Sequence, residues 1–273
     1  MGARALVTKN PEEDDSDMRL TVSQVALEEP GPTLARTGTR TNHRDVIVVI
    51  PAYNEELGIA LTITELESTL LSPNYLVVDG CSTDGTSQVA SGMGVSVLTE
   101  EERGGKGNAM ALALQHIPDS VNYIVFTDAD YTYPAKYVPD MVKLLDEDPS
   151  VGMVDGNRFP EDQQTTESIN TVFHLGNKCL ALAHRIMNGV KLKDPFTGLR
   201  VVRWALLKEW KPVSKGFDIE AELNHYVQSK GYRTIEIPIE YRPRIGDKKL
   251  GVKHGLTIMK RIILLCFTNV EQK

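Results

Sequence analysis

The sequence predicts an α/β fold with a mostly parallel sheet flanked by helices on both faces, and three observations predict it. From residue 46 onward, short β-branched runs alternate with segments of helical spacing, a pattern that implies parallel strands joined by crossover helices. Polar and glycine clusters follow the apolar runs directly, as turns at strand ends do. With 273 residues, 41% hydrophobic and 25% charged, the chain is long enough to bury one full core.

Taken in order, a strand is expected over 46–50, a helix over 58–71, a strand over 75–78 and a helix over 83–90. A strand over 95–98, a helix over 107–116, a strand over 123–127 and a helix over 136–146 complete the alternation. In such sheets ligands bind beyond the carboxyl ends of the strands, and each polar cluster of this half falls there.

The flanks read differently. Residues 1–44 hold the acidic block Pro11-Glu12-Glu13-Asp14-Asp15-Ser16-Asp17 and a stretch rich in Pro, Gly, Thr and Arg. Such a segment buries too little apolar surface to offset its ordering entropy, so it is expected to be a disordered extension. It lacks the apolar core of a secretory signal. The folded domain is expected over 45–252, with an amphipathic helix and tail over 253–273. The formal net charge of −7 argues against nonspecific nucleic-acid binding, which needs a basic face. Cys81, Cys179 and Cys266 are odd in number and too far apart for a zinc knuckle, which suits a reducing, intracellular setting.

Asp128-Ala129-Asp130 follows the apolar run Tyr123-Ile124-Val125-Phe126. Residues two apart at a strand end point to the same side, so both carboxylates address one point, and a hard divalent cation is their natural companion. Mg2+ or Mn2+ carrying a diphosphate is the expectation. After the first strand comes Pro51-Ala52-Tyr53-Asn54-Glu55-Glu56, where Pro51 stops ladder pairing and Asn54 is a candidate N-cap. After the second comes Asp79-Gly80-Cys81-Ser82-Thr83-Asp84-Gly85-Thr86. There Asp79 can accept hydrogen bonds from a base or ribose, and Ser82 or Asp84 can cap the next helix. Arg103-Gly104-Gly105-Lys106-Gly107-Asn108 lacks the spacing of a P-loop, but a glycine-rich turn with Lys106 at a helix start suits a diphosphate as well as it suits a solvated loop.

These four blocks, in this order and spacing, resemble the family 2 glycosyltransferases of the GT-A, Rossmann-like fold, and the resemblance covers about residues 45–255. It implies a nucleotide-sugar donor, a metal on Asp128 and Asp130, and inversion at the anomeric carbon. The later blocks Asp155-Gly156-Asn157-Arg158-Phe159, Asp194-Pro195-Phe196-Thr197-Gly198-Leu199-Arg200 and Gly216-Phe217-Asp218-Ile219-Glu220-Ala221-Glu222-Leu223 look like those of the dolichyl-phosphate glycosyltransferases. So do Tyr241, Arg242, Arg244, Gly246, Lys249 and Leu250, which match a block of archaeal members that charge dolichyl phosphate from a uridine sugar. Mannose-transferring relatives usually carry Gln two residues after the second Asp and Ser before the late Lys. This chain has Thr132 and Lys248 there, which departs from a third side-chain metal ligand and from a mannosyl donor.

The resemblance assigns Pro51, Tyr53, Asn54, Glu55, Asp79, Asp84, Lys106, Asp128 and Ala129 to the nucleotide sugar, and Asp130, Arg200, Asp218 and Glu220 to the catalytic region. Arg200, Arg242, Arg244 and Lys249 are expected at the acceptor phosphate, because guanidinium forks suit phosphate oxygens. Pairing of these cations with Asp194, Glu240 or Asp247 is the competing expectation. Asp218 and Glu220 are expected by the acceptor pocket, although acids at a helix start are also ordinary partners of the helix dipole.

Two segments bear on membranes. Ile169, Val172, Phe173, Leu180, Ala183 and Met187 lie on one side of an amphipathic stretch, and 255–267 is apolar with two central cations but too short to span a bilayer. Each can be core or an interfacial helix. Relatives often continue into transmembrane helices and this chain carries none before Lys273, so peripheral association with the cytoplasmic face of a membrane is expected. The expected partners are a UDP-sugar donor and a dolichyl or polyprenyl phosphate acceptor. GDP-mannose as donor, and a non-catalytic nucleotide-sugar-binding subunit, are the alternatives.

Overall fold

The structure is a computed structural model that describes residues 45–71, 73–159, 171–247, 249 and 251–268. The expected extension over 1–44, Ile169, Lys248, Leu250 and the side chains of Val172 and Phe173 lie outside the described residues.

Strands β1 (Val46–Ala52), β2 (Asn74–Asp79), β3 (Ser96–Thr99) and β4 (Tyr123–Phe126) alternate with helices α1 (Glu56–Thr69), α2 (Thr86–Gly92) and α3 (Lys106–Leu114). A 3-10 turn leads from β4 into α4 (Val138–Glu147), with Pro139 tolerated in the first turn, where an N–H has no helical partner. The second half adds β5 (Val151–Asn157), α5 (Thr171–Asn188), β6 (Arg200–Arg203), the short α6 (Trp204–Leu207), α7 (Ile219–Ser229), β7 (Arg233–Pro238) and α8 (Val252–Thr268). One seven-stranded sheet has the order β3-β2-β1-β4-β6-β5-β7. All described pairings are parallel except those of β6, which runs antiparallel to both β4 and β5.

Both faces of the sheet are covered, so β1 is apolar almost throughout rather than alternating. Val46, Val48 and Ile50 pack toward α1, α2 and α4, where Ile59, Ile63, Ala90, Met141 and Leu145 are buried. Ile47 and Val49 face the other way, toward Met110, Trp204, Leu207, Ile219 and Leu223 of α3, α6 and α7. A third cluster joins Ile258, Ile262 and Leu265 of α8 to Ala221 of α7 and to Leu180, Ala183 and Met187 of α5. The last residues of both expected amphipathic stripes therefore meet each other inside the protein. On the outer sides of the same helices, Leu175, Leu182 and Ile186 of α5 and Leu256, Ile263, Leu264 and Phe267 of α8 are exposed.

Among the described residues, the non-glycine positions with positive φ are Asn54, Cys81 and Tyr131. Each follows the carboxyl end of a parallel strand, β1, β2 or β4. Left-handed backbone is disfavoured for a Cβ-bearing residue, and its concentration at one sheet edge marks where the chain is held for a purpose other than stability.

Candidate active site

A cavity of about 590 Å³ opens beyond the carboxyl ends of β1, β2 and β4, within the range of small-molecule sites. Its floor is the sheet rim. Pro51, Tyr53 and Glu55 reach it from the loop after β1, and Asp128, Ala129 and Asp130 from the loop after β4. Cross-loop hydrogen bonds fix this rim: Asn54 N–H donates to Ser82 Oγ at 2.9 Å, Thr83 N–H to Asn54 Oδ1 at 2.8 Å, and Glu55 N–H to Thr86 Oγ1 at 2.8 Å. Asn54 thus ties two loops together, and the N-cap position of α1 belongs to Glu55, which corrects the expected cap. The loop after β4 presses on α1 so closely that a Cβ at Gly58 would lie 2.7 Å from the Ala129 carbonyl oxygen.

Lys106 enters at the start of α3. Glu100 holds the glycine-rich turn by accepting from Gly104 N–H at 3.2 Å and Asn108 Nδ2 at 2.8 Å, and Asn108 N–H donates to the Lys215 carbonyl at 3.1 Å. This seats Lys106 Nζ between Asp128 Oδ1 and Glu220 Oε1, 2.7 Å from each. Burial works to lower the Lys106 pKa, but Asp128 and Glu220 outweigh it and hold the pKa above the ordinary lysine range. Desolvation works to raise Asp128, yet Lys106 beside it keeps its pKa below the usual carboxylate range. Asp130 goes the other way: burial and the Asp128 charge push its pKa up, against Arg244 and Thr132. Thr132 Oγ1 donates to Asp130 Oδ1 at 2.6 Å, so Thr132 orients the second aspartate.

The remaining wall comes from residues far away in sequence. Arg244 pairs with both Asp130 and Glu55, and Lys249 Nζ donates to Glu55 Oε1 at 2.7 Å and to the Asn54 carbonyl at 2.6 Å. Arg242 forms a fork on Glu65 at 2.6 and 2.8 Å and lies over the Tyr131 ring, 4.4 Å from its centroid. Arg242 N–H and Ile245 N–H donate to the Thr132 and Asp130 carbonyls, which straps this segment onto the aspartate loop. Of the acids expected to pair with these cations, Asp194 instead takes Arg158 at 2.7 Å and Glu240 takes Lys136 at 2.8 Å.

Two expectations shift, those for Arg200 and Asp84. Arg200, expected at the acceptor phosphate, is 1% exposed and absent from the described cavity wall. Its guanidinium donates to the Thr197 and Pro195 carbonyls and to Asn224 Oδ1, with Asp155 3.6 Å away. Paired with Phe126 in the β4–β6 register, it is an internal brace. Asp84 accepts from Glu56 N–H and Thr86 N–H and closes the turn before α2, away from the described cavity wall. Asp218 lies beside the cavity and accepts from Arg261 Nε of α8 at 3.0 Å, while Glu220 faces into the cavity. Asp79 sits just behind the lining residue Gly80 and is buried. Its Oδ2 accepts from Ser82 N–H, and its Oδ1 has no partner, so a capacity to accept remains at the rim.

Several lining residues were not picked out from the sequence. Arg103 lies over the Tyr53 ring at 3.7 Å, and its position just before the glycines was its only signal. Arg158, clamped by Asp194 and 5.4 Å from the Tyr241 ring centroid, stood inside a block already noted. Phe217 and Ile258 also stood inside stretches already noted and His254 carried no signal of its own; the place of all three depends on how α7 and α8 pack.

The donor set bears on a metal. Among the described residues no group of three or more His, Cys, Asp or Glu forms a full protein cage. Two carboxylates on a cavity wall are nevertheless what Mg2+ or Mn2+ needs when phosphate oxygens and water complete its sphere, and Asp128 and Asp130, two residues apart after β4, both line this cavity. The residues fit such a cation. No helix among the described residues is long and apolar enough to cross a membrane.

Comparison with known proteins agrees with this geometry. Residues 47–209, more than half of the chain, match glycosyl transferase family 2. A dolichyl-phosphate hexose transferase of Haloferax volcanii is 33% identical over 226 residues, covering 81% of this chain and 94% of that protein. The glycosyltransferase AglJ of the same organism is 30% identical over 200 residues, covering 73% and 63%. Among solved structures, mannosyl-3-phosphoglycerate synthase from Rubrobacter xylanophilus superposes with a TM-score of 0.65 at 21% identity, over 83% of this chain and 74% of its own. Glucosyl-3-phosphoglycerate synthase from Mycobacterium tuberculosis, solved with Mn2+, UDP-glucose and phosphoglyceric acid, gives 0.64 at 22% identity, over 81% and 79%. The shared sheet, with catalytic-type loops at the carboxyl ends of its strands, is the GT-A fold, and the chain belongs to glycosyl transferase family 2 and is a glycosyltransferase.

Proposed function

We propose that the enzyme transfers a hexosyl or N-acetylhexosaminyl group from a UDP-sugar to dolichyl or another polyprenyl phosphate with the help of Mg2+ or Mn2+. One observation carries the reading: a single cavity joins an aspartate pair at the sheet rim, the cations Arg242, Arg244 and Lys249, and an apolar end against α5 and α8. The Haloferax relative named as a dolichyl-phosphate hexose transferase supports the acceptor class. A protein of the same fold bound to Mn2+ and UDP-glucose supports the donor class.

Asp128 and Asp130 would hold the metal, which when bound neutralises charge on the departing diphosphate. Tyr53 and the unpartnered Asp79 Oδ1 seat the nucleoside, the oxygen accepting an N–H or O–H. Lys106, kept charged by Asp128 and Glu220, faces the diphosphate. Arg244 lies between Glu55 and Asp130, and Lys249 pairs with Glu55; these two cations would meet the phosphate dianion once Asp130 turns to the metal. A phosphate monoester has its second pKa near ~6 and is already a nucleophile at neutral pH, without a strong general base. Its oxygen attacks the anomeric carbon, the bond from that carbon to the diphosphate oxygen breaks, and the electron pair leaves with UDP. A single displacement of this kind inverts the anomeric centre.

The acceptor is presented at a bilayer. Neither α5 nor α8 contains an Asp or Glu, whereas the exposed Lys178, Arg185, Lys253 and Lys260 lie on them, in a chain of net charge −7. Apolar side chains exposed beside such cations are the pattern of a surface that rests on anionic headgroups.

The test is a donor screen with the purified protein, Mn2+, polyprenyl phosphate and radiolabelled UDP-glucose, UDP-N-acetylglucosamine or GDP-mannose. Lipid-linked sugar from a uridine donor is expected. Product from GDP-mannose alone reassigns the donor, and UDP binding with no lipid-linked product from any donor removes the reading in favour of a non-catalytic module.

A further inference from the structure

Two glycines inside long helices, Gly176 of α5 and Gly255 of α8, stand out by what surrounds them. A glycine in a helix interior is less favourable than alanine unless something requires it. At Gly58 and Gly107 the requirement is packing, since an added Cβ would overlap the backbone of Ala129 and Ser214. At Gly176 and Gly255 an added Cβ meets nothing within 4 Å among the described residues. Both glycines line the cavity, so the missing side chains leave open space in its wall between two helices.

That space has a definite chemistry. Around it stand Leu180, Phe196, Phe217 and Ile258, which belong to the cluster that joins α5 to α8. His254 meets the edge of Phe217, with ring centroids 5.0 Å apart. The charged residues of the cavity lie toward the sheet rim, with Arg244 and Lys249 on Glu55. A ligand spanning both regions has an anionic head and an apolar tail. Leu175, one residue before Gly176, and Leu256, one residue after Gly255, are exposed, so the space adjoins apolar outer surface.

We infer that the first isoprene units of the acceptor run through a slot between α5 and α8, with Gly176 and Gly255 as the residues that keep it open. This deepens the proposed function and rests on its lipid-phosphate acceptor. The slot makes Gly176 and Gly255 specificity determinants for chain length: side chains there exclude hydrocarbon while the phosphate end of the site is untouched. Apolar area buried by each added methylene then shows as affinity that rises with chain length.

The experiment is calorimetric binding of isopentenyl phosphate and farnesyl phosphate, at monomeric concentrations, to the full chain and to Gly176→Leu and Gly255→Leu. The wild-type protein is expected to prefer farnesyl phosphate by about tenfold or more, and each leucine to cut that preference by about tenfold. The wild-type comparison needs no variant, so misfolding of either variant does not shelter the inference. Equal affinity for the two phosphates in the wild-type protein, or a farnesyl preference unchanged by both leucines, overturns the slot. Absence of transfer from every donor, with the preference and its loss both observed, overturns the proposed reaction and leaves the slot standing. Transfer to polyprenyl phosphate without any chain-length preference does the reverse.

Discussion

At the sheet end of the cavity, Gly58 lets α1 sit directly on the aspartate loop, with no room for one methyl group. At the helix end, Gly176 and Gly255 face open space. The same residue type does opposite work. At the first end it allows backbone to touch backbone, and the positive φ of Asn54, Cys81 and Tyr131 belongs to the same tightly determined rim. At the second it withholds side-chain volume from a wall made by two helices. The difference separates residues that place chemistry from residues that admit a substrate, and substitutions at the two ends are expected to fail in different ways.

The largest effect is expected at the sheet end. Asp130→Asn keeps the shape and the Thr132 contact but removes the charge that a divalent cation needs, and turnover is expected to fall at least about a hundredfold. Steady-state rates with saturating metal check this, and unchanged turnover excludes the metal role. Next is Arg200→Ala. It strips a buried guanidinium from three partners and leaves Asp155 beside an unfilled volume, a loss of about 3–5 kcal/mol in urea unfolding. A raised acceptor KM at unchanged stability would instead return Arg200 to the acceptor phosphate. Gly58→Ala is expected to cost about 1–3 kcal/mol through overlap with the Ala129 carbonyl, measured the same way.

Between the two ends lies a pH-sensitive joint. His184 of α5 is fully buried, with Nε2 3.1 Å from the Ala221 carbonyl and Nδ1 3.0 Å from Asn188 Nδ2. The geometry fixes a neutral ring that donates through Nε2 and accepts through Nδ1, and burial, aided by the His225 charge, lowers its pKa to about 4. Unfolded, the ring titrates near ~6.5. Between these values the unfolded chain binds the extra proton, so stability is intact above about pH 6.5 and is lost as the pH falls toward 4, by up to about 3 kcal/mol. His184→Gln is expected to flatten the stability profile over that window, and an unaltered slope rejects the assignment. The smallest effect is at the helix end, where Gly176→Ala and Gly255→Ala are each expected to raise stability by ~0.5–1 kcal/mol. Destabilisation there would mean that the space is packed and not open.

The two ends also differed in how far the sequence revealed them. The alternation through β1–β4 and α1–α4 was legible because β-branched runs and helical periods follow one another within single windows. In β5 and β6, by contrast, Asp155, Asn157 and Arg200 break the apolar pattern although all are buried, and β7 is only partly buried. Tertiary context makes these strands, and no local period announces them. Asp128, Asp130, Glu55 and Lys106, which line the cavity, stood out in the sequence because each lies in a polar loop after a strand or opens a helix. Arg200 reads the same in the sequence whether it binds a ligand or braces a core, and its burial is visible only in the fold. The pairing of Arg242 with Glu65, across 177 positions, and the slot between α5 and α8 exist only once the chain is folded.

The direct test of the cation at the sheet rim is calorimetric titration of UDP into the wild-type protein in Mn2+ and again in EDTA, with Asp130→Asn as the parallel sample. Tight binding in Mn2+ that is lost in EDTA, and lost in the variant under both conditions, is the expected result. Equal UDP affinity with and without the metal would contradict the central claim that Asp128 and Asp130 hold the donor through a divalent ion.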